Sequence, residues 1–134
     1  MSLILPGLYL GDISNAKDIY WLDSKGITYI VNCAKEVGSY FRTKAYLNLD
    51  LDDSPYQGIS QALKDSYLFI DNALQRGNAV LVHCYAGISR SSTIVIYYIM
   101  RKYGWSLQKA YQYVKNKRSI VQPNHGFIKQ LSRV

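Results

Sequence analysis

Cysteine is scarce in this chain, with two in 134 residues, Cys33 and Cys84. Two sulfurs cannot build the disulfide framework that holds small secreted domains together, and both suit a reducing compartment. Histidine is as scarce, again two. Two histidines and one well-placed cysteine give no metal-ligand spacing, so no metal and no cofactor is expected. No Pro/Gly/Ser-rich linker, low-complexity tract or internal repeat interrupts the chain, so residues 1–134 are expected to form one domain. No stretch approaches the roughly eighteen apolar residues of a membrane span, and none is expected. The N-terminus lacks a basic segment followed by an apolar one, and Pro6 interrupts it early. No signal peptide is therefore visible, and the expected location is cytoplasmic or nuclear. Acidic residues are the last shortage: nine against sixteen basic ones, a net charge of +7. That excess favours acidic partners. The basic residues are scattered, however, and only Lys115-Asn116-Lys117-Arg118 clusters, without an aromatic-interleaved stripe. A solvated basic face accounts for them, and no nucleic acid is expected.

Against these shortages the chain is 49% hydrophobic, which suits a packed core rather than disorder. Gly7-Leu8-Tyr9-Leu10-Gly11 reads as a short strand. Residues 15–24 read as a helix with Ala16, Ile19 and Leu22 on one face, capped by Asp12 or Ser14 and stopped by Gly26. Ile27–Asn32 is a β-prone run and reads as a central strand. Residues 34–43 are a polar connection, and 45–49 alternate as a strand. Asp50-Leu51-Asp52-Asp53-Ser54-Pro55 is a loop carrying three carboxylates. Apolar residues then recur with helical period from Ile59 to Gln75. A buried strand over 79–82 follows, then helices over 91–103 and from Ser106 to about Asn116, and a last helix over 124–132 beyond Pro123. Strands alternating with helices predict an α/β fold with a mostly parallel central sheet flanked by helices on both faces.

The loop between strand 79–82 and helix 91–103 carries the chemistry. It reads His83-Cys84-Tyr85-Ala86-Gly87-Ile88-Ser89-Arg90-Ser91. A tight strand-to-helix loop points successive backbone N–H groups at one spot, and the helix N-terminus adds positive potential, so an anion such as phosphate fits there. A thiol in such a place ionises more readily than a free one. Arg90, six residues after Cys84, offers a planar fork to two phosphate oxygens.

The filled pattern His-Cys-x-x-Gly-x-x-Arg-Ser resembles the signature of cysteine-dependent protein phosphatases. The fuller HCYAGISRSS is similar to the dual-specificity branch, which acts on phosphotyrosine and on phosphoserine or phosphothreonine. The opening Leu5–Gly11, Phe69-Ile70-Asp71 and Pro123-Asn124-His125-Gly126-Phe127 extend the likeness over the whole chain. The resemblance implies Cys84 as a nucleophile that forms a phosphocysteine, with Arg90 and the amides of Tyr85, Ala86, Gly87, Ile88 and Ser89 holding phosphate. It implies that His83 orders the loop, that Asn124 braces it, and that Ser91 supplies the hydroxyl beside the sulfur. Ser91 also suits a helix N-cap, as Asn124 does. Asp50, Asp52 and Asp53 are the candidates for a general acid. The family's acid falls on Asp53 when aligned on helix 59–74, with Asp52 next. His125 reads as an ordinary surface residue.

Cys33 ends its strand where Cys84 ends its own, which puts both sulfurs at one rim of a parallel sheet. Some relatives use a cysteine at a matching place to trap an oxidised nucleophile, so Cys33 is a candidate redox partner, or else a small buried hydrophobe. The loop interior has no lysine, unlike relatives acting on inositol phospholipids, so phosphoproteins are the expected substrates. The chain opens at its first strand, which reads as a small stand-alone catalytic domain. Two rival readings remain. A phosphate-reading binding module would lose Cys84 or Arg90, and a sulfur transferase would need neither the Gly87/Arg90 spacing nor the aspartate loop.

Overall fold

The computed structural model describes residues 1–134. Ser2–Leu5 forms β1 and Leu8–Gly11 forms β2, paired antiparallel across a turn at Pro6-Gly7. The sequence pattern missed β1, because four residues show no period that separates strand from helix. Ile13–Ala16 is α1 and Ile19–Ser24 is α2, where one helix over 15–24 was expected. The break has a cause in side-chain chemistry. Asp12 caps Asn15 N–H and Asp18 caps Trp21 N–H, so the second aspartate starts a new helix where the first one frays.

Ile27–Ala34 is β3 and Ala45–Leu51 is β4, each two residues longer than expected at its carboxyl end. Ser60–Gln75 is α3, Ala79–His83 is β5, Arg90–Tyr103 is α4, Leu107–Lys117 is α5 and His125–Leu131 is α6. The strand order is β1-β2-β5-β3-β4, with every pairing except β1–β2 parallel.

β5 is the middle strand and is buried on both faces, as its unbroken apolar run requires. Leu81 packs with Ala16, Leu22, Ile27 and Ile30 beneath α1 and α2. Val80 and Val82 face the larger core with Val31, Ile94, Val95 and Phe127. That alternation comes from the two-residue period of a strand. On this second side α4 packs against α3, α5, α6 and the sheet. Its first seven residues, Arg90 to Ile96, are all buried. The helices therefore cover both faces, as expected, and β5 aims its carboxyl end at the N-terminus of the most buried helix.

Candidate active site

The loop from Cys84 to Ser89 is held from outside by its carbonyls. His83 Nδ1 meets Cys84 O at 3.2 Å, and Ile13 N–H donates to Tyr85 O at 3.0 Å. Arg118 donates to Gly87 O at 3.0 Å and to Ala86 O at 3.5 Å. Gln122 N–H donates to Ile88 O at 2.8 Å, and Thr93 Oγ1 donates to Ser89 O at 2.8 Å. A trans peptide sets its N–H opposite its C=O. Six carbonyls turned outward therefore turn the N–H groups of residues 85–90 inward. Gly87 N–H shows the result, donating to Cys84 Sγ at 3.2 Å. Gly87 has φ +69, and a Cβ there would meet Gly11 O at 2.7 Å, so both the backbone and the space demand glycine.

Cys84 is buried, and Ser91 Oγ lies 3.1 Å from its sulfur. The N-cap position of α4 belongs to Ser89, so Ser91 is free of capping and faces the sulfur. His83 is fully buried, and burial holds its imidazole below the ordinary histidine pKa, hence neutral near pH 7. Its bond to Cys84 O needs the proton on Nδ1, which leaves Nε2 bare and without a partner.

Arg90 is pinned by a residue that sequence reasoning passed over. Glu36 accepts from Nη1 at 2.6 Å and from Nη2 at 2.7 Å, while Leu51 O accepts from Nη1 at 3.0 Å. The hydrogen bonds from Arg90 hold the Glu36 carboxyl down at about 2, and the same contact raises Arg90. The Nε–H and the remaining Nη2–H have no protein partner and form one free side of the fork. β4 reaches Arg90 through an irregularity: its register against β3 slips between Asn48 and Leu51, and Asp50 takes φ +53. Such a bulge bends a strand end, here bringing Leu51 O to Arg90.

Of the three aspartates, Asp53 is the one tied to this cluster. Asn124 Nδ2 donates to Asp53 Oδ1 at 2.9 Å, and Asn124 N–H donates to Ser89 Oγ at 2.9 Å. Asn124 also caps α6, its Oδ1 accepting Phe127 N–H at 2.9 Å, so capping and bracing are both real. Asp50 lies inside β4 rather than in the loop, and Asp52 binds only through its backbone, to Gln57.

The model of the dual specificity phosphatase catalytic domain matches residues 8–134. The chain belongs to this family. It is 42% identical to mouse protein phosphatase Slingshot homolog 1 over 132 residues, 98% of this chain but 13% of that protein. It is 42% identical over 130 residues to the putative tyrosine phosphatase 123R of invertebrate iridescent virus 6, covering 97% of this chain and 88% of the viral protein. The crystal structure of DUSP15 superposes with a TM-score of 0.95 at 36% identity, covering 99% of this chain and 85% of that one. The chain spans between 9% and 20% of the length of the Slingshot relatives it matches. The match is to the catalytic domain of that family.

Within this phosphatase domain the expected residues converge. Cys84, Arg90, Ser91, His83, Asn124 and Asp53 lie in one linked cluster at the carboxyl edge of the sheet. Cys33 is fully buried on β3, whose register pairs Asn32 with His83, so one step further sets Cys33 beside Cys84. Adjacent strands lie about 4.8 Å apart, within the Cα range of a disulfide. Burial, and then the neighbouring Cys84, push the Cys33 thiol up. His125 is exposed and takes no part in the cluster. Glu36 and Arg118 were missed. Arg118 lies in the one basic cluster the sequence shows, but its guanidinium braces the phosphate loop. The helix periodicity carries no sign of that.

Proposed function

We propose that this phosphatase domain hydrolyses phosphotyrosine and phosphoserine or phosphothreonine in proteins through a phosphocysteine on Cys84. The observation that carries the reading is the seat of the Cys84 sulfur. It lies beneath inward-turned amides, bonded to Gly87 N–H at 3.2 Å and beside Ser91 Oγ at 3.1 Å, in the loop that leads to the free side of Arg90. In the first step the Cys84 thiolate forms an S–P bond as the ester P–O bond breaks. The amides of residues 85–90 and Arg90 Nε–H and Nη2–H take the equatorial oxygens, and Asp53 gives its proton to the departing oxygen. In the second step water attacks phosphorus and gives its proton to the Asp53 carboxylate. The S–P bond breaks, and Ser91 O–H donates to the departing sulfur.

Phosphoproteins fit better than inositol phosphates because the exposed loop side chains are Tyr85, Ala86 and Ile88, with no lysine among them. A cytoplasmic or nuclear setting belongs to this reading, since a free thiol pair stays reduced there. So does a protective role for Cys33. Peroxide converts Cys84 to sulfenic acid, and attack by the Cys33 sulfur forms the S–S bond and releases water. Peroxide followed by reductant should return more activity in the wild type than in Cys33→Ser, with a Cys33–Cys84 linked peptide in mass spectrometry. Equal recovery without that peptide leaves Cys33 as packing.

The reading is tested by turnover of phosphopeptides, inositol phosphates and triphosphorylated RNA, with Cys84→Ser as the control. Phosphopeptides should be hydrolysed best and Cys84→Ser should be silent. Preference for RNA or inositol phosphate would overturn the substrate class.

A further inference from the structure

The segment from Asp52 to Gly58 carries the proposed acid but has no fully buried side chain of its own. Its internal bonds are short-range: Gln57 N–H to Ser54 O at 3.1 Å, Tyr56 N–H to Ser54 Oγ at 3.1 Å, and Asp52 N–H to Gln57 Oε1 at 3.0 Å. Its fixed points lie on α6. At the start of that helix Asn124 holds Asp53. At the next contact the backbone of Gly126 lies directly on Pro55. A Cβ on Gly126 would overlap the Pro55 carbonyl oxygen, with the carbonyl carbon 2.5 Å away. Near the end of the helix, Gln130 Nε2 donates to Gln57 O at 2.8 Å and its Oε1 accepts Ile59 N–H at 2.9 Å. The helix itself is anchored, since Phe127 and Leu131 are fully buried and Asn124 N–H holds Ser89 of the phosphate loop.

We infer that α6 positions the general acid: Gly126 and Gln130 hold the 52–58 segment so that Asn124 sets Asp53 in register with Cys84. Neither touches the reacting atoms. The inference rests on Asp53 being the acid. Asn124 also selects the oxygen that carries the proton. Its Oδ1 is committed to Phe127 N–H, which fixes the amide orientation, so Nδ2 faces Asp53 Oδ1. An N–H donor binds an unprotonated oxygen, so the acid proton resides on Oδ2.

The consequence is selective. A good leaving group departs without a proton and a poor one does not. General acids contribute about 10²–10⁴ in rate, and a displacement of about 1 Å can cost 10² of that. The test is kcat/KM for a nitrophenyl phosphate and for an alkyl phosphate in wild type, Asp53→Asn, Gly126→Ala and Gln130→Met. Inhibition by inorganic phosphate reports the integrity of the phosphate loop. Gly126→Ala and Gln130→Met should each lose about tenfold or more on the alkyl ester and less than about threefold on the nitrophenyl ester, with phosphate inhibition unchanged. Adding Gln130→Met to Asp53→Asn should bring no further selective loss. Equal losses on both esters, or none, in folded Gln130→Met would overturn the inference while leaving Asp53 in place. Gln130→Met carries the test if Gly126→Ala does not fold. A lack of leaving-group selectivity in Asp53→Asn would instead remove Asp53 as the acid, and this inference with it.

Discussion

Arg90 gives three N–H bonds to Glu36 and Leu51 and keeps one side of its guanidinium for ligand. Its orientation is therefore set before phosphate arrives, and Glu36→Gln should show how much that matters. A neutral amide accepts from only one of the two guanidinium nitrogens, so kcat/KM for a phosphopeptide should fall about tenfold. Stability should change by less than about 1 kcal/mol, because Glu36 is half exposed and screened. The pH dependence has a definite sign. The carboxyl is held down at about 2, so its stabilisation is complete above the ordinary carboxylate range and is lost as pH falls toward 2. The stability gap between wild type and Glu36→Gln should be flat from neutral pH down to about 5 and shrink below that, as urea midpoints would show. His83 acts with the same sign in a higher pH range. Its lowered pKa means that the unfolded chain binds the proton more readily, so protonation costs stability as pH falls below about 6.5. His83→Asn keeps a donor for Cys84 O and should flatten that loss between pH 7.5 and pH 5 in the same measurement. An unchanged slope would mean that His83 is not the group responsible.

Among the elements, the loop between β5 and α4 was legible because its determinants are local. A glycine at φ +69, a cysteine and an arginine at fixed spacing mark it within nine residues, although Ile13, Arg118 and Gln122 also hold it. Gly87→Ala tests the demand for glycine there: the Cβ would strike Gly11 O in a backbone conformation that alanine resists. Stability should drop by about 1–3 kcal/mol, and aryl phosphatase activity should fall with it. A variant as stable and as active as wild type would show that the loop tolerates another path. The helices over 60–75 and 107–117 were legible from their period, and that over 90–103 from its long apolar run. The split of α1 from α2 was not, because Asp18 can sit mid-helix or cap a new one, and here its side chain accepts Trp21 N–H and starts a new helix. The partners that hold the site were invisible for a different reason. Glu36 lies 54 residues from Arg90, and Gln130 lies 73 residues from Gln57. Pairs that distant leave no periodic trace, and each lay in a stretch already explained as polar surface or helix.

Over the whole molecule, the parallel strands gather their carboxyl ends at one edge. There the central β5, the end of β4 and the start of α6 meet, which brings the proposed nucleophile, acid and brace together from three parts of the chain. The net charge of +7 acts at this scale as well. It should draw acidic phosphopeptides, so their KM should rise as salt is raised from about 50 to about 300 mM. The KM of a small aryl phosphate should change much less, and a parallel rise for both would place the effect at the phosphate site itself. The account depends most of all on a covalent phosphate on Cys84. Ser91→Ala should slow release of the sulfur more than attack by it, so the intermediate should build up. Rapid acid quench of that variant with a ³²P-labelled phosphopeptide, followed by peptide mapping, measures it directly. Label should appear as phosphocysteine on the peptide holding Cys84 and be absent from Cys84→Ser. Label on another residue, or steady turnover by Cys84→Ser, would contradict the account.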